Sequence, residues 1–178
     1  MDWRSNGSDH AATRFEAMSR SQSQPTFAIR QAASNDGEPI VACLASAFAP
    51  YRDKYTPAAF RDTVLDSESV QDRLREMRVF VAVADGRVVG TIACALNGGE
   101  GHLRGMGVVP EWQGRGVASA LLDAAERDVR ERHGIRVTLD TTEPLARAMA
   151  FYERHGFIRS GRVSKFFGMP LHEWVKQL

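Results

Sequence analysis

The chain has 178 residues, 43% of them apolar and 25% charged, with a formal net charge of +1 at pH 7. That length supports one domain with a substantial core, and so balanced a charge, without a Lys/Arg block, gives no general electrostatic reason to expect nucleic acid or an anionic membrane as partner. No apolar run is long enough to span a bilayer, and the start lacks the continuous apolar core of a secretory signal, so a cytoplasmic protein is expected.

Residues 1–25 are rich in Ser, Arg and Gln, while Asp2, Asp9 and Glu16 oppose an organelle-targeting reading. They are read as a disordered tail ahead of a domain over residues 26–178. Phe27 to Ala32 reads as a first strand, and Ile40, Val41, Leu44, Ala47 and Phe48 form one face of a helix behind it. Thr56 before Pro57 is a second helix start, and Ser67 or Ser69 opens a short helix toward Met77. Asp85 and Gly86 then sit between two β-rich runs, as a tight hairpin turn requires. Asn97 to Gly101 makes another turn, into a strand whose Gly105 and Gly107 mark a bulge or a close backbone approach.

The stretch "VVPEWQGRGVASALLDAAERDV" follows. Val117, Ala118, Leu121, Leu122, Ala125 and Val129 recur at helical spacing, so a strand, a tight turn and an amphipathic helix are expected in order, the helix starting near Gly114. It is long enough to be the crossover between parallel strands. His133 and Gly134 read as its cap, Ile135 to Asp140 as a strand, and "EPLARAMAFYERHGF" as a helix stopped by Gly156. The rest reads as two strands around Ser160 and Gly161, with Phe166, Phe167 and Trp174 feeding the core. Cys43 and Cys94 stand far apart in apolar contexts and read as reduced, buried thiols. The five histidines show no ligand spacing, so no metal is expected.

Gly114, Gly116 and Ala118 leave the first helical turn bare, so its unpaired N–H groups can be approached by a phosphate. A Walker loop is absent. A dinucleotide loop is matched only in part by Gly114 and Gly116, because Ser119 takes the third place. A third pattern, Q-x-x-G-x-A, is complete from Gln113 to Ala118. Together with "LDTTEPLARAMAFYERHGF", it resembles the GNAT superfamily of acetyl-CoA-dependent N-acetyltransferases, in that family's order and spacing, over roughly Phe27 to Leu178.

That resemblance implies an α/β (α+β) domain: a mixed, mostly antiparallel sheet of six to seven strands, helices on both faces, and a V-shaped splay between strands four and five. It implies acetyl-CoA as acyl donor, its diphosphate held by Gln113, Gly114, Arg115, Gly116, Val117, Ala118 and Ser119, and its pantetheine arm paired with Val108 and Val109. Tyr152 resembles the family's general acid toward the departing thiolate. Many relatives have Asn where this chain has Leu145, so an amide contact to the donor is missing.

For the amine's proton, His102 begins strand four, where relatives often carry glutamate, and an imidazole suits a base working through a water. Glu100, two residues earlier on the same face, is the alternative. Asp140 and Glu143 either attract the cationic amine or simply end a strand and begin a helix. The acceptor, small molecule or peptide, would be walled by Pro50 to Met77 and the final hairpin. Relatives often form homodimers, so a homodimer is one expectation. The rival reading is a regulatory module that binds CoA or acetyl-CoA without turnover.

Overall fold

The computed structural model describes residues 26–178; the expected tail over residues 1–25 lies outside them. In chain order the elements are β1 (Ala28–Gln31), α1 (Gly37–Phe48), α2 (Pro57–Val64), α3 (Ser67–Glu76), β2 (Arg78–Ala84), β3 (Arg87–Asn97), β4 (Glu100–Val108), α4 (Val117–Glu131), β5 (Arg136–Thr142), α5 (Ala146–Arg154), β6 (Ile158–Phe166) and β7 (Met169–Gln177). Among the described residues, no helix is long and apolar enough to cross a membrane.

Local chemistry explains most boundaries. The Thr56 side chain accepts a hydrogen bond from the Ala59 N–H, with Pro57 in the first turn of α2. At α3 it is Asp66, not a serine, that caps: its carboxylate accepts from the Ser69 N–H while the Ser69 hydroxyl accepts from the Asp66 N–H. The two-residue turns Asp85-Gly86 and Gly98-Gly99 all have positive φ, which matches the twist of the hairpins they close.

Seven strands form one sheet in the order β1-β2-β3-β4-β5-β7-β6, antiparallel except for the parallel pair β4 and β5. The carboxy-terminal hairpin is therefore inverted, its last strand lying inside and β6 forming the edge. Its turn is Phe167-Gly168, with φ of 48° and 87°, rather than Ser160-Gly161. The latter pair is a bulge inside β6, where pairing jumps from Arg159↔Trp174 to Val163↔His172. Phe167 is accordingly half exposed, and only Trp174 of the expected aromatic trio is fully buried.

Two apolar layers cover the sheet. Ile40 and Leu44 of α1 pack with Val70, Val79, Val81 and Ala93; Leu121, Leu122, Ala125 and Val129 of α4 pack with Ile92, Cys94, Val137 and Leu139. Alternation along β2 and β3 sends successive side chains to opposite layers. Helix α4 sits so close over Gly90 that a Cβ there would come within 2.9 Å of Leu121 and Val117.

One buried acid ties β1 to the start of α1. Asp36 accepts from Arg30 Nη1 and Nη2 at 2.6 and 2.9 Å and from the Ala33 N–H at 2.7 Å. The Arg30 hydrogen bonds hold its carboxyl below the usual range. Because the folded value is depressed, the stabilisation is complete above the ordinary value of about 3.9 and is lost as pH falls through the folded one. Asp36→Asn is expected to cost about 1–2 kcal/mol at pH 7, moderated by the exposed Arg30 end. In denaturant melts, that difference should shrink as the pH falls below about 4.

Candidate functional site

Pairing of β4 with β5 runs from Glu100↔Arg136 to Leu103↔Leu139 and then stops, although both strands continue. The cause lies in β4. Thr91 pairs with Gly107 and Ala93 with Arg104, so Gly105 and Met106 together face Ile92, a bulge that Gly105 makes possible with φ of 57°. A bulge bends and twists its strand, and here it turns β4 away from β5. The resulting cavity, about 760 Å³, reaches from the turn before α4 to the helices α2 and α3.

The main chain of β4 is thus open along this gap. The Val109 N–H donates to the Val89 carbonyl at 3.0 Å. By antiparallel alternation, Val108 then directs its N–H and carbonyl away from β3 and toward the gap. Its carbonyl accepts from Gln113 Nε2 at 3.0 Å. Of the two valines expected to present main-chain groups to a ligand, only Val108 has a free N–H; that of Val109 is consumed by β3.

At one end of the cavity the chain rises through a short 3₁₀ turn, Pro110–Trp112, into α4. The helix begins at Val117 rather than near Gly114, because Gly114 and Gly116 are both left-handed, with φ of 74° and 80°. Gly116 caps α4 without a side chain, so the first N–H groups, from Val117 to Ser119, receive no capping oxygen. A Cβ at Gly114 or Gly116 would meet nothing within 4 Å, so the space before those donors is open. Gln113, Gly114, Gly116, Ala118 and Ser119 line the cavity. The Val117 side chain is buried in the core, leaving only its N–H to serve a ligand. Arg115 does not line the cavity; its guanidinium lies over the Trp112 ring at 5.3 Å. His155 Nδ1 lies 2.8 Å from the Phe151 carbonyl and must donate to it, so Nε2 accepts from the Ser119 hydroxyl at 3.0 Å.

Further along, Tyr152 of α5 is buried between Phe151 and Phe157, and its hydroxyl donates to the Met106 sulfur at 3.2 Å. Burial pushes the phenol above its ordinary pKa, so it holds its proton at neutral and mildly alkaline pH. The bulge brings Met106 to this position, linking the bend in β4 to the candidate acid.

Near the point where the strands part, His102 Nδ1 lies 3.0 Å from the Thr138 hydroxyl, which lies 3.0 Å from Glu100 Oε1. A carboxylate can only accept, so Thr138 donates to Glu100 and accepts from His102 Nδ1–H. In the neutral ring Nε2 then carries the lone pair, 3.6 Å from Asp140 Oδ2. His102 and Asp140 line the cavity; Glu100 does not. The parallel register sets Glu100 opposite Arg136, whose guanidinium contacts its carboxylate, and Thr138 links Glu100 to His102. Burial raises the Asp140 pKa, an effect opposed by the positive charge of His102 when its ring is protonated and by that of Arg104.

Glu143 is exposed, 3.7 Å from His172, and precedes α5 instead of belonging to its first turn. Leu145 lines the cavity. Cys43 and Cys94 are buried, and burial pushes their thiols to about 12 and about 11, which makes them poor nucleophiles. Tyr51, Tyr55 and Phe166 wall the far end, as expected of Pro50 to Met77 and the final hairpin. Thr138 and Arg73 lie outside the motifs; the sequence signal for Arg73 is its place with Val70 and Leu74 on the inward stripe of α3.

The sequence profile described as "Acetyltransferase (GNAT) family" matches residues 41–157. N-alpha-acetyltransferase 30 of Schizosaccharomyces pombe is 32% identical over 93 residues, 49% of this chain and 62% of that protein. N-alpha-acetyltransferase MAK3 of Arabidopsis thaliana is 34% identical over 92 residues, 49% of this chain and 48% of that protein. The similarity thus spans about half to three-fifths of these relatives. Among solved structures, the PaiA N-acetyltransferase of Thermoplasma acidophilum in complex with coenzyme A superposes with a TM-score of 0.71 at 16% identity, covering 83% of this chain and 98% of its own. The ribosomal-protein-alanine N-acetyltransferase of Brucella melitensis does so with 0.66 at 24%, covering 85% and 99%. These likenesses establish the fold.

Proposed function

The chain belongs to the GNAT acetyltransferase family, and from that premise we propose that it transfers the acetyl group of acetyl-CoA directly to a primary amine. The α-amino group is the acceptor favoured by the relatives, which are named N-alpha-acetyltransferases. The observation that carries this reading is the gap itself: an unpaired strand edge, bounded by the uncapped start of α4 at one end and by Tyr152 and His102 further along.

Each residue then has a task. The N–H groups at the start of α4, with the partial positive charge of the helix end, hold the diphosphate of the donor. Val108 bonds the pantetheine arm through its N–H, and main-chain donors of β4 polarise the thioester carbonyl. An ammonium must lose a proton before its nitrogen can attack, and His102 Nε2, with its tautomer fixed by Thr138, accepts that proton through a water. Asp140 favours the approach of the cation. The neutral nitrogen forms the C–N bond; as the C–S bond breaks, Tyr152 supplies a proton to the departing sulfur, and the proton shed by the acylated nitrogen returns through water to the phenolate. The products are an acetamide and free CoA thiol, and no acyl-enzyme forms.

Calorimetric titration with acetyl-CoA and with NAD, followed by thiol-release assays on α-amine peptides, tests the reading. Micromolar binding of acetyl-CoA alone, with turnover, is the expected result. Binding without turnover of any amine would favour the regulatory module, and no binding by folded protein would remove both.

A further inference from the structure

At the acceptor end of the cavity one guanidinium stands outside the ion pairs of the described residues. Arg104 of β4 meets Asp62 of α2 at 3.4 Å, which occupies the acid. Arg73 of α3 lines the same end and lays its Nη1 directly over Gly105, where a Cβ would overlap it. The left-handed bulge that parts the strands therefore also makes room for this guanidinium. Among the described residues nothing hydrogen-bonds it; burial and the charge of Arg104 push its pKa down to about 10, and Asp62 offsets this only in part. It remains charged at neutral pH. A half-buried guanidinium that no protein group accepts from favours a ligand that brings an acceptor.

The donor supplies no anion at this end. A pantetheine arm is uncharged, and the diphosphate belongs to the uncapped start of α4, at the opposite end of the gap. A planar monoanion matches the guanidinium fork, whereas a dianion would be opposed by Asp62 and Asp140. Resting on the acetyl-transfer reading, we infer that Arg73 anchors a carboxylate carried by the acceptor, so that the preferred substrates are amines bearing a nearby carboxylate, and polyamines are disfavoured. The carboxylate comes either from the α-carboxyl of a free amino acid or from an acidic side chain beside a peptide's amino terminus.

Two matched pairs separate these sources: alanine against alaninamide, and Ala-Asp-amide against Ala-Asn-amide. For wild type, one pair is expected to show about a 10- to 100-fold preference in kcat/KM for the carboxylate member, expressed in KM. Arg73→Met should bring the pair to parity, Arg73→Lys should restore part of the preference, and KM for acetyl-CoA should not change. Thermal melts establish that each variant is folded. No preference in either pair, or one that survives Arg73→Met, would overturn the assignment.

Should no amine turn over, the acetyl-transfer reading fails while Arg73 stays open to measurement. Calorimetry with N-acetylalanine and N-acetyl-Ala-Asp-amide against their neutral analogues, in the presence of CoA, then decides. Arg73-dependent binding of an anionic member supports the carboxylate anchor, and equal or absent binding of all four refutes it.

Discussion

Gly116→Trp is expected to weaken acetyl-CoA binding by ~100-fold or more, because it removes the approach to several charge-assisted N–H contacts at once. Gly116 has φ of 80° and nothing within 4 Å of where its Cβ would be, so the indole enters the open space before the first N–H groups of α4. An L-residue there carries backbone strain of roughly 1–2 kcal/mol. Gly161→Trp is the matched control, since Gly161 has φ of 87° and equally open surroundings but lies on the edge strand β6. Calorimetry should find acetyl-CoA binding lost in the first variant and kept in the second. Equal affinity in both would make the Gly114 to Ala118 segment a packing turn only.

Tyr152→Phe is expected to lower kcat by about 10²- to 10³-fold while leaving acetyl-CoA affinity within a few-fold of wild type. The ring keeps its packing against Phe151 and Phe157, and the only hydrogen bond removed is the weak one to the Met106 sulfur. Thermal stability should therefore change little. Because burial raises the phenol's pKa, Tyr152 stays protonated through the alkaline range in which free amine accumulates, and loss of activity there should not come from its ionisation. Transfer to the sulfur becomes favourable only as negative charge builds on it. An unchanged kcat would reduce Tyr152 to a core aromatic.

Features set by a few adjacent residues were legible in the sequence. Asp85-Gly86, the Thr56-Pro57 start and the irregularity at Gly105 were read from local dihedral preference alone, and the structure has each in place. The final turn was misplaced because Ser160-Gly161 and Phe167-Gly168 offer similar local signals, and only the register against β7 separates them. The site divides in the same way. The bare turn at Gly114 and Gly116 announces itself, whereas the fate of Glu100 depends on Arg136 being set beside it by a parallel pairing 36 residues away. The Val109 N–H is turned toward β3 by strand alternation, which a motif does not encode.

The inverted hairpin has a kinetic consequence. The strand that braces the far wall of the gap is the last one in the described chain, and it reaches back to Thr141 through Trp174 over 33 residues and to the buried Glu126 through Lys176 over 50. Loops of that span close late, since their entropy is lost before any contact rewards it. Until β7 docks, β5 is held to the sheet by its short pairing with β4 alone. The two walls of the gap therefore become one rigid unit only once β7 has docked. A chain halted before residue 169 would have the α4 turn already built and nothing firm opposite it.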